Sequence, residues 1–291
     1  FRFNPGMTGR SDQEFQMGVE LIGASGERAD LEMIALAAEA LKTSRCRDFR
    51  LEIGHVGIFG DLIRRLPAEE EVRDEIRRLT ESKSYAALGD LLDTLPATPE
   101  TEAIRRLPRL FGGREALEEA RTLCGGEEAQ EAIRHLTRLL DSLAAFGLGE
   151  QVTVDLGLVH RHEYYTGVVF RGYIAGSGET VVSGGRYDTL LQRFGSDLPA
   201  VGFGLNLDAV TRVMLEEGTA EPALVPEILV YAEPGREIDA LRKIQELTEQ
   251  ELSICEFSTF STLEQTLSYA RRRGIARVLS LGEKGVETFD L

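Results

Sequence analysis

His160-Arg161-His162-Glu163-Tyr164-Tyr165-Thr166-Gly167-Val168-Val169-Phe170 is followed, 18 residues after Tyr165, by Ser183-Gly184-Gly185-Arg186-Tyr187-Asp188, and then by Pro199-Ala200-Val201-Gly202-Phe203-Gly204. Taken singly, each piece reads as part of a twisted antiparallel sheet. Val152 to Val159 reads as one strand, Val168 to Ala175 and Glu179 to Ser183 flank the hairpin signal Gly176-Ser177-Gly178, and Ala200 to Leu205 is a short strand. Gly184-Gly185 permits a positive φ or the close approach of a backbone or ligand. The order and spacing of the three pieces carry more information than any one of them.

Working toward the amino terminus, Gln16 to Gly23 alternates. Met17, Val19 and Leu21 share one face; Gln16, Gly18 and Glu20 share the other. Leu31, Ile34, Ala35, Ala38 and Leu41 give a helix over 31–42, with Asp30 as its expected N-cap. A strand follows at 49–54. Residues 67–146 change character. Val72, Ile76 and Leu79 make one helical stripe and Tyr85, Leu88, Leu92 and Leu95 another. Thr98-Pro99 is a cap with proline at the first helical position, and Ala129 to Leu143 is a long helix stopped by Gly147. This block reads as a helical insertion between strand-rich regions. Toward the carboxyl terminus, helices are expected at 187–194 and 207–217, a linker at 218–226, and a β-α-β-α-β series with parallel strands over 226–291.

The chain has 291 residues, which predicts about two domains. Lys and Arg number 33 against 49 Asp and Glu, a balance of −16 that argues against a nucleic-acid partner. Cys46, Cys124 and Cys255 are far apart and form no C-x-x-C, so neither a disulfide framework nor a structural zinc site is expected. Free thiols without a signal peptide predict the cytoplasm, and no apolar run approaches membrane length. The chain opens at Phe1, without Met and already inside patterned sequence, which predicts a further amino-terminal segment.

Together these motifs resemble the class II histidyl-tRNA synthetase family. Phe1-Arg2-Phe3 through Gly9-Arg10, and Phe15-Gln16 to Gly23, are similar to its second class II motif. Tyr164-Tyr165-Thr166-Gly167 is similar to its histidine-specific motif, and Gly184-Gly185-Arg186-Tyr187-Asp188 with Pro199 to Phe203 to the run into its third. The resemblance implies an α+β fold: a class II synthetase-like antiparallel sheet over 1–66 and 147–217, a helical insertion over 67–146, and a small α/β domain over 226–291.

Two departures separate the chain from active members. The resemblance places an activating Arg-Gly-Leu-Asp where His160, Arg161, His162 and Glu163 stand, and a phosphate-holding Gly-Leu-Glu-Arg where Asn206, Leu207, Asp208 and Ala209 stand. Guanidinium is a planar, bidentate phosphate clamp, and alanine offers nothing in its place. Losing such a group commonly removes several kcal/mol of transition-state stabilisation. The combination resembles the paralogues that serve as regulatory subunits of ATP phosphoribosyltransferase. That resemblance implies a non-catalytic chain without cofactor or metal. It also implies a homodimer that joins a short-form catalytic subunit in a hetero-oligomer at the first step of histidine biosynthesis and mediates feedback by L-histidine. An active histidyl-tRNA synthetase and an orphan amino-acid-binding paralogue remain the alternatives.

The resemblance implies a histidine site at Arg2, Gln16, Glu20, Tyr164, Tyr165, Gly184 and Gly185. Gln16 and Glu20 lie four apart on one strand face. Glu20 could accept from an ammonium, and Gln16 could bond ammonium or carboxylate. Arg2 matches a carboxylate-gripping arginine. Tyr164 and Tyr165 point to opposite sides of a regular strand, with Tyr165 expected on the imidazole side. His160 and His162 share the spacing of a metal pair but have no third ligand nearby. His135 reads as a surface or rim residue, and Arg271-Arg272-Arg273 as the cationic end of a helix.

Overall fold

In the computed structural model the described residues are 2–3, 13–44, 48–158, 164–219, 224–250 and 254–291, with Arg2, Phe3 and Gln250 described by backbone alone. The chain divides into two compact units, Phe1–Ala220 and Glu221–Leu291.

The first unit opens with β1 (Arg2–Phe3) and β2 (Gln13–Glu14), an antiparallel pair that places Arg2 opposite Glu14. Next come β3 (Gln16–Ile22), α1 (Glu27–Thr43), β4 (Phe49–His55) and α2 (Val56–Arg65). The helical stretch holds α3 (Glu70–Glu81), α4 (Tyr85–Asp93), α5 (Pro99–Arg106), β5 (Phe111–Gly112), α6 (Arg114–Leu123) and α7 (Glu127–Leu143). The chain returns to the sheet through β6 (Val152–Asp155), β7 (Val168–Ile174), β8 (Val182–Arg186) and β9 (Ala200–Asn206), then closes with α8 (Leu207–Glu216). Seven strands form one sheet in the order β3-β9-β8-β7-β4-β6-β5, antiparallel at each step except β4 with β6.

The sheet's two faces follow the period-2 rule. Leu51, Ile53, Phe170, Phe203 and Leu205 face the helices and share one buried cluster with Ile34 and Leu41 of α1 and Ile133 and Leu136 of α7, and the half-buried Val19 packs against it. The helical stretch is continuous with that cluster, since Ile76, Leu88, Leu92 and Ile104 belong to it as well. Thr98 caps α5 as its sequence predicts: its hydroxyl accepts from Thr101 N at 3.2 Å, with Pro99 next in line.

Several local expectations are corrected. Helix α1 starts at Glu27, not 31, and its N-cap is Gly26; Asp30 sits inside the first turn with its carboxylate wholly buried. A tertiary ion pair to Arg186 competes for that carboxylate and takes it from the helix end. The helix expected at 187–194 is a single 3-10 turn at Leu190–Phe194. Strand β6 stops at Asp155, where the backbone turns and Gly157 N donates to Asp155 Oδ1.

The second unit contains β10 (Ile228–Ala232), α9 (Glu237–Gln250), β11 (Cys255–Phe257), α10 (Leu263–Arg273), β12 (Arg277–Gly282) and β13 (Gly285–Asp290), in sheet order β11-β10-β12-β13. Strand β10 pairs in parallel with β11 and β12, the arrangement its alternating pattern predicts. The antiparallel strand β13 adds to that expectation. Ile228 and Val230 pack with Leu247 on one face of this sheet; Leu229 and Val278 pack with Ala270 on the other. Among the described residues, no helix is long and apolar enough to cross a membrane.

Candidate functional site

The face of the seven-stranded sheet turned away from the core lacks bulky side chains over much of its width. Cross-strand register aligns Gly18, Gly204, Ser183, Arg171 and Glu52 in one row, and Glu20, Gly202, Gly185 and Val169 in the next. Small residues in adjacent rows leave a hollow, and the structure has a cavity of about 630 Å³ there. Its rim is supplied by Gln16 and Glu20 of β3, by Tyr164 and Tyr165 before β7, and by Tyr187 after β8.

Tyr164 and Tyr165 both line the cavity, although a regular strand would turn them to opposite sides. Residues 164–166 form a turn and an irregular segment rather than strand, so the alternation rule does not apply to them. Their rings lie 4.3 Å apart, and Tyr164 meets Tyr187 edge-on at 6.1 Å. The Tyr187 hydroxyl donates to Glu20 Oε2. Burial pushes the Tyr165 phenol well above its ordinary range, reinforced by Tyr164 and by the Glu20 charge. Burial and the Glu20 hydrogen bond do the same to Tyr187. Both phenols therefore stay protonated and serve as neutral donors and acceptors.

Glycine is required at two points for close approach. A Cβ on Gly202 would overlap the Glu20 carboxylate, and one on Gly185 would stand 2.7 Å from the Tyr165 ring. Gly185 thus seats the tyrosine and does not itself line the cavity. Gly184 faces the other way: its open side is filled by Phe170 and Phe203, so it serves the core rather than the pocket. The Arg2 side chain, and His160, Arg161, His162 and Glu163, lie outside the described residues, as does Cys46.

The lining is acidic. Glu14, Glu20, Glu81 and Glu179 contribute carboxylates, Arg212 pairs with Glu179 at 2.9 Å, and Arg171 is the one cation among the described lining residues. The positions where the resemblance places a phosphate-holding motif do other work. Asn206 caps α8 by accepting from Ala209 N at 3.0 Å, Asp208 accepts from Phe15 N at 2.9 Å, and Ala209 is fully buried. An ammonium or an imidazole N–H suits this acidic lining; a triphosphate does not. Among the described residues, no group of three or more His, Cys, Asp or Glu side chains could hold a metal ion.

Tyr187, Gly202 and Arg171 were not assigned to the site by sequence reasoning. The usable signal was register. Tyr187 lies two residues beyond Gly185, and Gly202 pairs directly with Glu20. His135, expected at the surface, lies against buried Asp30, with its Nε2 3.2 Å from Oδ2 but without hydrogen-bond alignment. Its ring meets that of His55 edge-on at 5.4 Å.

The sheet and the glycine-floored pocket define a class II synthetase fold, and the chain belongs to the histidyl-tRNA synthetase family, whose model matches residues 1–210. Within that family it is similar to proteins named ATP phosphoribosyltransferase regulatory subunit. Those from Clostridium botulinum, Bacillus mycoides and Geobacter sulfurreducens are 33%, 33% and 34% identical over 94%, 96% and 94% of this chain. The chain spans 66%, 67% and 63% of their lengths. A crystal structure from Bacillus halodurans, described as an ATP phosphoribosyltransferase regulatory subunit/histidyl-tRNA synthetase, superposes with a TM-score of 0.72 at 30% identity, over 90% of this chain and 68% of that one. The histidyl-tRNA synthetase of Nostoc sp. PCC 7120 shares the fold, with a TM-score of 0.69 at 18% identity over 96% of this chain and 72% of that one.

Proposed function

We propose that this chain is the regulatory subunit of ATP phosphoribosyltransferase, a glycosyltransferase complex at the first step of histidine biosynthesis, and that it has no aminoacylation activity of its own. It works with a short-form catalytic subunit, as a homodimer within a hetero-oligomer in the cytoplasm, and needs no cofactor. Free L-histidine binds in the pocket and carries the feedback signal. Glu20 takes the ammonium or the imidazole N–H, Gln16 adds an amide contact, and Tyr164, Tyr165 and Tyr187 enclose the ring. Arg2, whose sequence position fits a carboxylate grip, completes the set.

The observation that supports this reading is the division of labour along β3, β9 and β8. The residues suited to an amino acid are present, while Ala209 is buried where a phosphate clamp would stand. The names of the relatives point the same way. The domain pattern that goes with it is a synthetase-like body over 1–66 and 147–217, a helical insertion over 67–146 and an accessory α/β domain over 226–291.

Calorimetric titration of L-histidine tests the site. Charge-assisted hydrogen bonds contribute about 1.5–3 kcal/mol each, so Glu20→Ala weakens binding roughly ten- to a hundredfold. Equal affinities in the two proteins would remove the pocket from the proposal. Co-purification with a short-form catalytic chain tests the partner. An ATP–pyrophosphate exchange assay with histidine tests the alternative: exchange at synthetase-like rates overturns the regulatory reading.

A further inference from the structure

The buried ion pair between Arg186 of β8 and Asp30 of α1 lies on the face of the sheet opposite the cavity. Arg186 is 5% exposed and Asp30 is 0% exposed. Arg186 Nε donates to Asp30 Oδ1 at 2.7 Å, and Nη2 lies 2.7 Å from the same oxygen. Nη2 also donates to Gly26 O at 3.1 Å. Nη1 donates to Ala24 O at 3.2 Å and to Asp188 Oδ1 at 2.9 Å. The guanidinium has five N–H donors; four hydrogen bonds and the close Asp30 ion pair engage all three of its nitrogens.

The backbone of the same residue holds the pocket rim. Thr166 N donates to Arg186 O at 2.8 Å, and Asp188 N donates to Thr166 Oγ1 at 2.9 Å. Segment 164–166, which carries two of the rim tyrosines, is thereby docked along 186–188. Tyr187 N donates to Ala200 O at 2.8 Å while Asp188 Oδ1 accepts from Ala200 N at 3.2 Å, so the third tyrosine is fixed on both sides. The Arg186 stem passes under Gly167, where a Cβ would stand 2.9 Å from Cδ.

We infer that Arg186, clamped by Asp30, is a positioning residue for the ligand pocket: it aligns Tyr164, Tyr165 and Tyr187 with Glu20 through Asp188 and Thr166 and never touches the ligand. As a statement about ligand affinity, this rests on the histidine-pocket reading. As a statement about the tyrosines, it stands on the contacts alone. A salt bridge that only stabilised the fold would lower the melting temperature of a variant and leave the affinity of its folded molecules unchanged.

The test uses the whole chain with two variants, Asp30→Asn and Thr166→Val. The first removes the charge that clamps the guanidinium and keeps the oxygen. The second is at an exposed position and cuts only the link from Asp188 to the tyrosine segment, so it remains informative if Asp30→Asn fails to fold. The chain contains no tryptophan, so near-ultraviolet circular dichroism above the phenylalanine bands reports its seven tyrosines. Tyr187→Phe supplies the reference spectrum for loss of the phenol–Glu20 contact. In ligand-free, folded protein, Thr166→Val is expected to move the tyrosine signal in the direction of Tyr187→Phe. Histidine affinity is expected to fall about tenfold in either variant. An unchanged tyrosine spectrum with unchanged affinity in folded Thr166→Val overturns the inference. Absence of histidine binding to the wild-type chain counts against the proposed function instead, and the ligand-free spectra still decide the positioning role.

Discussion

Acid should destabilise the larger unit through one histidine. His55 closes β4 and opens α2, and its Nδ1 accepts from Gly57 N at 3.1 Å, which is possible only when that nitrogen is unprotonated. Burial, helped by His135 and opposed by Asp30, lowers its pKa from 6.5 to about 4. The folded chain thus holds His55 neutral while the unfolded chain protonates it near 6.5. The unfolded state therefore binds the extra proton as pH falls below 6.5, and stability falls with it until pH reaches the folded value. Above 6.5 the contribution is fully present. Each pH unit between the two values removes up to about 1.4 kcal/mol, and from pH 7 to pH 5 the loss comes to about 2 kcal/mol. His55→Asn retains an acceptor at the helix N-cap and removes the titration. Urea unfolding of both proteins at about pH 7, 6 and 5 makes the comparison. The shared carboxylates contribute equally to both curves, so the wild type should lose about 2 kcal/mol more than the variant. Parallel curves would show that His55 is protonated in the folded chain and that the cap geometry is not what holds it neutral.

Tyr187→Phe removes the hydrogen bond to Glu20 and should weaken histidine binding about three- to tenfold by calorimetry, with little change in melting temperature. Gly185→Ala puts a methyl group into the Tyr165 ring and should displace it, reducing affinity more than tenfold while urea unfolding shifts by about 1–3 kcal/mol. Phe170→Ala, at the centre of the sheet's buried face, should cost about 3–5 kcal/mol of stability in the same assay. Thr98→Ala deletes the α5 cap and should cost about 1 kcal/mol without touching affinity.

What the sequence made legible was periodic or local. The stripe Ile34, Ala38 and Leu41 predicts α1, Thr98-Pro99 predicts the start of α5, and the alternation of Gln16, Gly18 and Glu20 places three cavity residues on one face of β3. What escaped it was decided by partners distant in the chain. Asp30 has the residue type and position of a helix cap, and only Arg186, 156 residues away, shows why it is buried instead. His135 looks like a rim residue on an amphipathic helix until α7 packs beside α1 and brings it to the same carboxylate. Tyr164 and Tyr165 defeat the strand rule because the backbone there is held by Arg186 and Thr166 contacts rather than by a ladder. Strand β13 follows the tight turn Gly282-Glu283-Lys284-Gly285, a signal present in the sequence but weak beside the parallel series before it.

The pocket's chemistry follows from how charge is distributed over the cross-strand register of the sheet. In a class II body the same open sheet face must receive both an amino acid and a nucleotide, and the two demand opposite electrostatics. An ammonium is stabilised by carboxylates; a polyphosphate is repelled by them, at about 1 kcal/mol per pair at 4 Å in water and several times that near a protein surface. Here the described lining carries four carboxylates and one guanidinium, and one of the four is already matched by Arg212. At the end of β9 that leads into α8, Asn206 caps the helix and Asp208 accepts from Phe15 N, so neither offers a cation to phosphate. Glu20, by contrast, stands at the rim bonded, among the described residues, to the neutral phenol of Tyr187, so its charge can meet a ligand cation. An acidic lining with one guanidinium favours a cationic amino acid over a polyphosphate, which is the balance the proposed feedback role requires.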